Sequence, residues 1–242
     1  EGYQNLMALS SAAFLEGFYY SPRIDREILA KHAKGLVILS GCVKGEISQA
    51  ILAGDAARAE KLAAAYRDLA DPGCFFLEMM DHGIEDEGRA NQGMIELRRR
   101  TGIPLVATND CHYARKTDAE AHDARICIST GSLLTDTDRL RFSGPEYYVK
   151  SPAEMIKLFE SAPEAAANTL RVAEMCHLEI PHDKHILPEF TVPEGMTQDS
   201  YLEQLAREGL KRRFPNGVSQ AHQDRLRYEL SVIQPKGFSW YF

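Results

Sequence analysis

The sequence lacks the features of a membrane or exported protein. It has no run of eighteen apolar residues that could cross a bilayer. Its first residues carry no basic region, long apolar stretch or cleavage site of a signal peptide. The five cysteines are odd in number and form no CxxC pair, a spacing that fits neither a disulfide framework nor a zinc finger. We therefore expect a reducing, cytoplasmic setting.

Several catalytic loops and an excess of basic charge are also absent. There is no P-loop, no GxSxG elbow and no Rossmann glycine pattern, so a kinase-like or serine-hydrolase function has no support. The formal net charge of −7 argues against a general nucleic-acid clamp, although an acidic enzyme can still meet phosphates through metals and local basic patches. Arg139, Arg141 and Lys150 could touch phosphates, but we predict that they are solvated surface charges.

Short apolar strands alternate with helical patterns over the first 130 residues. Strands are predicted at 36–39, 74–79 and 104–108, and helices at 3–18, 25–34, 46–53, 56–69, 84–100 and 117–128. This alternation is typical of a parallel sheet or barrel. We therefore expect an α/β fold that forms part of a β/α barrel, because three strands do not close one.

The pattern changes near Gly131. Ser151 and Glu154 have the spacing of a capping box that opens a helix. The predicted elements are one strand at 147–150, helices at 151–159, 165–176, 200–213 and 220–233, and a loop rich in proline and histidine at 180–193. We therefore predict a module boundary that divides the chain into residues 1–130 and a mainly helical module, residues 131–242.

Polar residues follow each predicted strand, where barrels of this kind gather their chemistry. The sharpest signal is Asp110-Cys111-His112. Because positions i and i+2 of an extended segment face the same side, the carboxylate and the imidazole are expected to meet. Such a pair suits zinc or manganese. The alternative is an aspartate that accepts a hydrogen bond from a loop histidine.

Three further residues at strand ends are weaker candidates. Cys42 is either a metal thiolate or a small apolar filler. Glu78 could be a ligand, a general base or a partner that orients a ligand, or it could bond a neighbouring loop; His82 raises the same question. His122 lies in a predicted helix beside Asp123, and we expect it to be structural.

Nine segments in order resemble one family, the alpha subunits of bacterial replicative (C-family) DNA polymerase III. The match covers essentially the whole chain. The segments are GYQNLMALSSAAFLEGFYYSPRID, GLVILSGCVKGEI, FFLEMMDHG, PLVATNDCHY, HDARICISTG, RLRFSGPEYYVKSPAEM, LPEFTVPEG, YLEQLAREGL and ELSVIQPKGFSWYF.

The resemblance implies the later part of a PHP domain, a distorted β/α barrel, followed by a connecting segment and the start of the polymerase palm and thumb region. The PHP cleft of that family binds divalent ions and, in some members, removes nucleotides from a 3′ end. Mapped by motif, Cys42, Asp110 and His112 would bind zinc or manganese, with Glu78 and His82 as candidates for the surrounding shell.

The same resemblance implies that the ends of the chain are cut. The family's other PHP ligands are expected upstream of Glu1, and the catalytic aspartates of the palm are expected downstream of Phe242. Residues 1–242 alone are therefore expected neither to polymerise nor to hydrolyse.

The expected parent is a DNA-directed DNA polymerase of the bacterial cytoplasm. It would use magnesium, a DNA primer-template and deoxynucleoside triphosphates, and would contact the sliding clamp and other replisome subunits, with no membrane contact. One alternative is that the PHP domain is a non-catalytic scaffold that docks a partner subunit. A free-standing PHP phosphoesterase is less favoured, because residues 131–242 would then have no role.

Overall fold

The computed structural model describes residues 1–180 and 190–242. The chain divides into two compact units, Glu1–Leu178 and Glu179–Phe242. The described residues contain these helices and strands: α1 (Gly2–Leu15), α2 (Arg26–His32), β1 (Ile38–Leu39), α3 (Glu46–Leu52), α4 (Ala56–Leu69), β2 (Phe75–Met79), α5 (Glu85–Thr101), β3 (Leu105–Ala107), α6 (Ala119–Thr130), α7 (Pro152–Leu158), α8 (Pro163–Met175), α9 (Gln198–Arg213) and α10 (Gln220–Ile233). No helix among them is long and apolar enough to cross a membrane.

The three strands form one parallel sheet in the order β1-β2-β3. Ile38 pairs with Phe75, and Leu77 pairs with Leu105. Parallel neighbours need a crossover; α3 and α4 make the first and α5 makes the second. This confirms the α/β alternation and places all three carboxyl ends at one edge. The described residues do not form a closed barrel.

The core lies between this sheet and the helices that cover it. Phe75, Leu77 and Met79 of β2 are almost fully buried against the neighbouring helices and strand. Phe159 and Ala165, from the end of α7 and from α8, belong to the same core. The predicted boundary at residues 130–131 therefore falls inside the first compact unit, and as a boundary between functional domains it stays a prediction.

Helix α8 also covers the edge of the sheet. It packs along β3, and the side-chain amide of Asn168 donates to the backbone carbonyl of Leu105 at 2.7 Å. An unpaired strand edge is a template for unwanted pairing. The hydrogen bond from Asn168 therefore satisfies the backbone carbonyl of Leu105, which does not accept a hydrogen bond from β2.

The start of α7 follows the predicted capping box. The Ser151 hydroxyl accepts from the backbone N–H of Glu154, and the Glu154 carboxylate accepts from the backbone N–H of Ser151 at 2.7 Å. The strand predicted at 147–150 is wrong. Only one isolated bridge forms there, between Tyr148 and Tyr113.

The second unit consists of α9 and α10 with their flanking turns. Thr197 caps α9 in a second capping box, and the Ser239 hydroxyl donates to the carboxylate of Asp199 at 2.5 Å. Both helices were predicted from the sequence pattern. The predicted loop at 180–193 lies mostly outside the described residues.

Close packing of α3 against α5 gives a first testable prediction. A Cβ at Gly93 would overlap Cγ2 of Ile51 and lie 3.2 Å from its Cβ, whereas a Cβ at Gly88 of the same helix meets nothing within 4 Å. We expect Gly93→Ala to lower the free energy of unfolding by about 1–3 kcal/mol. Gly88→Ala should raise it by up to about 1 kcal/mol, since alanine favours the helix. Urea unfolding measures the free energy of unfolding of both variants. Equal changes in the two variants would contradict the close packing of α3 against α5.

Candidate metal centre

The ends of the three strands are joined through the carboxylate of Glu78. Its Oε1 accepts from the hydroxyl of Thr108 at 2.6 Å, and its Oε2 accepts from the backbone N–H of Gly41 at 3.0 Å. The backbone N–H of Glu78 donates to the hydroxyl of Ser40 at 2.8 Å. Glu78 therefore holds the loop that carries Cys42 and the loop that leads to Asp110. A bond to neighbouring loops, one of the interpretations left open for this residue, does form, and its other roles stay predictions.

Asp110 and His112 meet as expected, but not for the reason given by an extended backbone. Oδ2 of Asp110 lies 3.4 Å from Nε2 of His112. Asp110 has a φ of 41°, in the left-handed region that few non-glycine residues adopt. The assumption of an extended segment was therefore wrong, because β3 ends at Ala107 and the backbone of Asp110 itself is not extended.

The spacing of this pair suits two corners of a metal site. Two atoms that each lie about 2.1 Å from a tetrahedral zinc ion are about 3.4 Å apart. Both side chains reach solvent, with 53% of Asp110 and 36% of His112 exposed. The alternative, a simple hydrogen bond between aspartate and histidine, has the same geometry.

Cys42 is an exposed free thiol that lines a small cavity together with Glu78. Among residues 1–180 and 190–242, no group of three or more histidine, cysteine and acidic side chains is arranged to hold a metal ion. The structure thus brings Asp110 and His112 together but does not add Cys42 to them. The three-ligand set stays a prediction.

His82 is buried and both of its ring nitrogens have partners. Nδ1 lies 2.9 Å from the Glu87 carboxylate, and Nε2 lies 3.0 Å from the backbone carbonyl of Asn109. Its ring stacks on Tyr147 with the centroids 4.1 Å apart. No ring nitrogen is left for a metal, so His82 contributes by holding the residue that precedes Asp110.

Asn109 links the loop after β3 to residues 146–150, which we call the connecting strip. Its amide nitrogen donates to the backbone carbonyl of Tyr148 at 2.6 Å, and its amide oxygen accepts from Nζ of Lys150 at 2.9 Å. The Lys150 side chain is only 5% exposed and also donates to the backbone carbonyl of Glu146. The expectation that Lys150 is a solvated surface charge was wrong.

Backbone contacts extend this link to the histidine of the pair. The N–H of His112 donates to the carbonyl of Tyr147 at 2.8 Å, and the N–H of Val149 donates to the carbonyl of Tyr113 at 3.2 Å. These bonds hold the motif against the connecting strip.

His112 lies close to two other aromatic rings, those of Phe142 and of His122 on α6. The ring centroid of His112 is 4.6 Å from that of Phe142 and 5.4 Å from that of His122. Burial, and then the nearby charge of His112, lowers the pKa of His122 below its usual value. His122 therefore favours its neutral form, and the structural role expected for it stays a prediction.

Arg139 is a second basic residue whose predicted exposure was wrong. Its side chain is 1% exposed and makes two hydrogen bonds of 2.6 Å to the carboxylate of Asp123. Those bonds lower the pKa of Asp123 and raise that of Arg139. Arg141 is exposed, as expected, and lines a cavity with His122 and Phe142.

Two family models match parts of the chain. The model described as "PHP domain" matches residues 1–82, and the model described as "Bacterial DNA polymerase III alpha NTPase domain" matches residues 200–242. Cys42, Glu78 and His82 lie in the first matched range. Asp110 and His112 lie between the two ranges.

Curated relatives match the chain from end to end. Proteins named DNA polymerase III subunit alpha from Treponema pallidum and Mycobacterium tuberculosis are 42% and 40% identical over 100% of this chain and 21% of their own length. The protein of the same name from Thermus aquaticus is 43% identical over 98% of this chain and 20% of its own length. The chain spans about a fifth of the length of these relatives.

A pH-dependent contribution of Glu154 gives the second prediction. Hydrogen bonds from the Tyr148 hydroxyl and from Ser151 lower the pKa of Glu154 from 4.5 to about 2, and the same contact raises the pKa of Tyr148 to about 12. Because the folded pKa of the carboxyl is depressed, its stabilising effect is complete above pH 4.5 and is lost as the pH falls towards 2.

We therefore expect Glu154→Gln to lower the unfolding midpoint at pH 6 but to differ progressively less from the wild type as the pH falls from 4.5 towards 2. Glu160→Gln, an exposed residue just after α7, is the matched control and should leave the pH profile unchanged. Thermal unfolding followed by circular dichroism at each pH provides the test. A difference between Glu154→Gln and wild type that is constant with pH would contradict this linkage.

Proposed function

From these matches, which confirm its resemblance to bacterial DNA polymerase III alpha subunits, we propose that this chain is a segment of the catalytic alpha subunit of a replicative DNA polymerase. The observation that carries the proposal is similarity along the whole chain to relatives about five times its length. The match at residues 200–242 disfavours a free-standing PHP phosphoesterase, which needs no polymerase module.

The proposed substrates are a DNA primer-template and deoxynucleoside triphosphates, with magnesium as the metal of polymerisation. The complete polypeptide that contains this chain should extend a primer in a template-dependent way. Residues 1–242 by themselves should not, because the catalytic aspartates of the palm are expected beyond them. Extension of a radiolabelled primer measures this, and the complete polypeptide without the palm aspartates serves as the control. The proposal would be wrong if the complete polypeptide failed to extend the primer under conditions in which a known alpha subunit does so.

A second activity is proposed for the PHP portion, the metal-dependent removal of nucleotides from a 3′ end. The 3.4 Å approach of Asp110 to His112 supports it. When bound, zinc or manganese supplies Lewis-acid chemistry for phosphodiester hydrolysis. In this proposal Asp110 and His112 hold two corners of the site, Cys42 and segments outside residues 1–242 provide the others, and Glu78 orders the loops on which Cys42 and Asp110 lie.

The alternative for the same portion is a scaffold that stabilises the polymerase and docks a partner. The sliding clamp and other replisome subunits of the bacterial cytoplasm are the partners that the family implies. The presence of Asp110 and His112 side by side, with Cys42 on the loop after β1, favours the metal-binding proposal, because a purely structural domain has no need of such donors at its strand ends.

Metal affinity distinguishes these two proposals. We expect Asp110→Asn and His112→Gln, in the complete alpha subunit, each to weaken binding of zinc at least about tenfold, since each removes one ligand of the site. Asp138→Asn removes an equal charge from an exposed position and should leave the affinity unchanged.

Competition with a chromophoric chelator measures the dissociation constant. Nuclease assays on a 3′-labelled single strand, with zinc or manganese added, then test the chemistry. Affinities that are equal in all three variants and the wild type would favour the scaffold.

A further inference from the structure

We propose that Asn109 and Lys150 form a brace that fixes the backbone before Asp110 and so sets the position of the Asp110–His112 pair. Lys150 is then a positioning residue of the metal centre, although it lies 41 residues along the chain from Asn109. The inference rests on the proposed metal-binding function, and it adds residues that the motif does not contain.

The environment of Lys150 fixes its ammonium group in one place. Nζ donates to the amide oxygen of Asn109 at 2.9 Å and to the backbone carbonyl of Glu146, and it lies 3.6 Å from the Glu146 carboxylate. It also lies 4.6 Å from the ring centroid of Tyr148. A buried charge is strongly unfavourable unless it is paired and hydrogen-bonded. The ammonium group therefore cannot leave these acceptors without a large loss of free energy.

Asn109 is held at three points. Its amide oxygen accepts from Lys150, its amide nitrogen donates to the carbonyl of Tyr148, and its backbone carbonyl contacts Nε2 of His82. Asn109 and His82 are both buried. Both ends of the Asn109 side-chain amide are therefore satisfied by the connecting strip, and its backbone is satisfied by the loop after β2.

The next residue is the one that needs such support. Asp110 has a φ of 41°, in the left-handed region that is unfavourable for an L-residue. Strained backbone persists only when the surroundings over-determine it. Without the brace, Asp110 would relax to a commoner conformation and its carboxylate would move away from Nε2 of His112.

Lys116 provides a matched control within the same chain. Its Nζ lies 2.6 Å from the Glu146 carboxylate, so both lysines contact the same acid. The Lys116 side chain is 55% exposed, against 5% for Lys150. Only Lys150 reaches Asn109. Replacing either lysine by methionine therefore removes a positive charge beside Glu146. Only replacement of Lys150 also removes the brace.

The test compares Lys150→Met, Asn109→Ala and Lys116→Met in the complete alpha subunit. Loss of groups that orient metal ligands typically weakens metal binding by about 10–100-fold. We expect this loss for Lys150→Met and Asn109→Ala, measured by chelator competition for zinc, and less than a twofold change for Lys116→Met. Asn109→Ala keeps the pair between Lys150 and Glu146, so it remains informative if Lys150→Met does not fold.

Hydrogen exchange of the His112 and Tyr113 amides provides a readout that does not depend on metal. Without metal, both brace variants should exchange faster at these amides than the wild type, while the amides of β2 stay protected. Exchange and affinity like those of the wild type in both variants, or equal losses in Lys116→Met, would overturn the brace. If Asp110→Asn leaves zinc binding of the wild type unchanged, the metal centre itself fails, and the exchange rates alone then decide the brace.

Discussion

The arrangement of the candidate site depends on the carboxylate of Glu78. Parallel strands end at a common edge, and their last backbone groups need partners there. Glu78 supplies acceptors to the loops after β1 and β3, while its own N–H uses the hydroxyl of Ser40. One side chain on the central strand therefore sets the separation of the loops that carry Cys42 and Asp110. A charge-assisted hydrogen bond is stronger than a neutral one, which suits a residue with this role.

Residues from a later part of the chain pack against this edge of the sheet. The connecting strip, residues 146–150, contacts the loop after β3 through backbone and side-chain bonds. His82, paired with Glu87, contacts the carbonyl of Asn109 in that loop and stacks on Tyr147 of the strip. The strip then leads into α7, whose cap shares Glu154 with Tyr148. The residues that would bind metal are thus coupled, through contiguous hydrogen bonds, to the start of α7.

Local patterns predicted a large part of this architecture. Strand and helix positions before residue 131 follow from periodicity and turn residues, and the cap at Ser151 follows from its spacing to Glu154. The proximity of Asp110 to His112 was predicted too, but from an extended backbone that does not form. Burial of Lys150 and Arg139 was not predicted, because Asn109 and Asp123, which bind them, lie 41 and 16 residues away and no local signal identifies these partners. The backbone of Asp110 was missed for a related reason, since distant contacts hold it in an uncommon conformation.

The separation of Asn109 from Lys150 has a consequence during synthesis. A ribosome that adds about 5–20 residues per second needs about 2–8 s to make the 41 residues between them. Once His112 has been made, the nascent chain carries every candidate ligand of this segment, but it lacks the lysine that is proposed to order two of them. A metal ion that arrived early would meet loose donors, so the proposed centre would form only after the strip has emerged and docked.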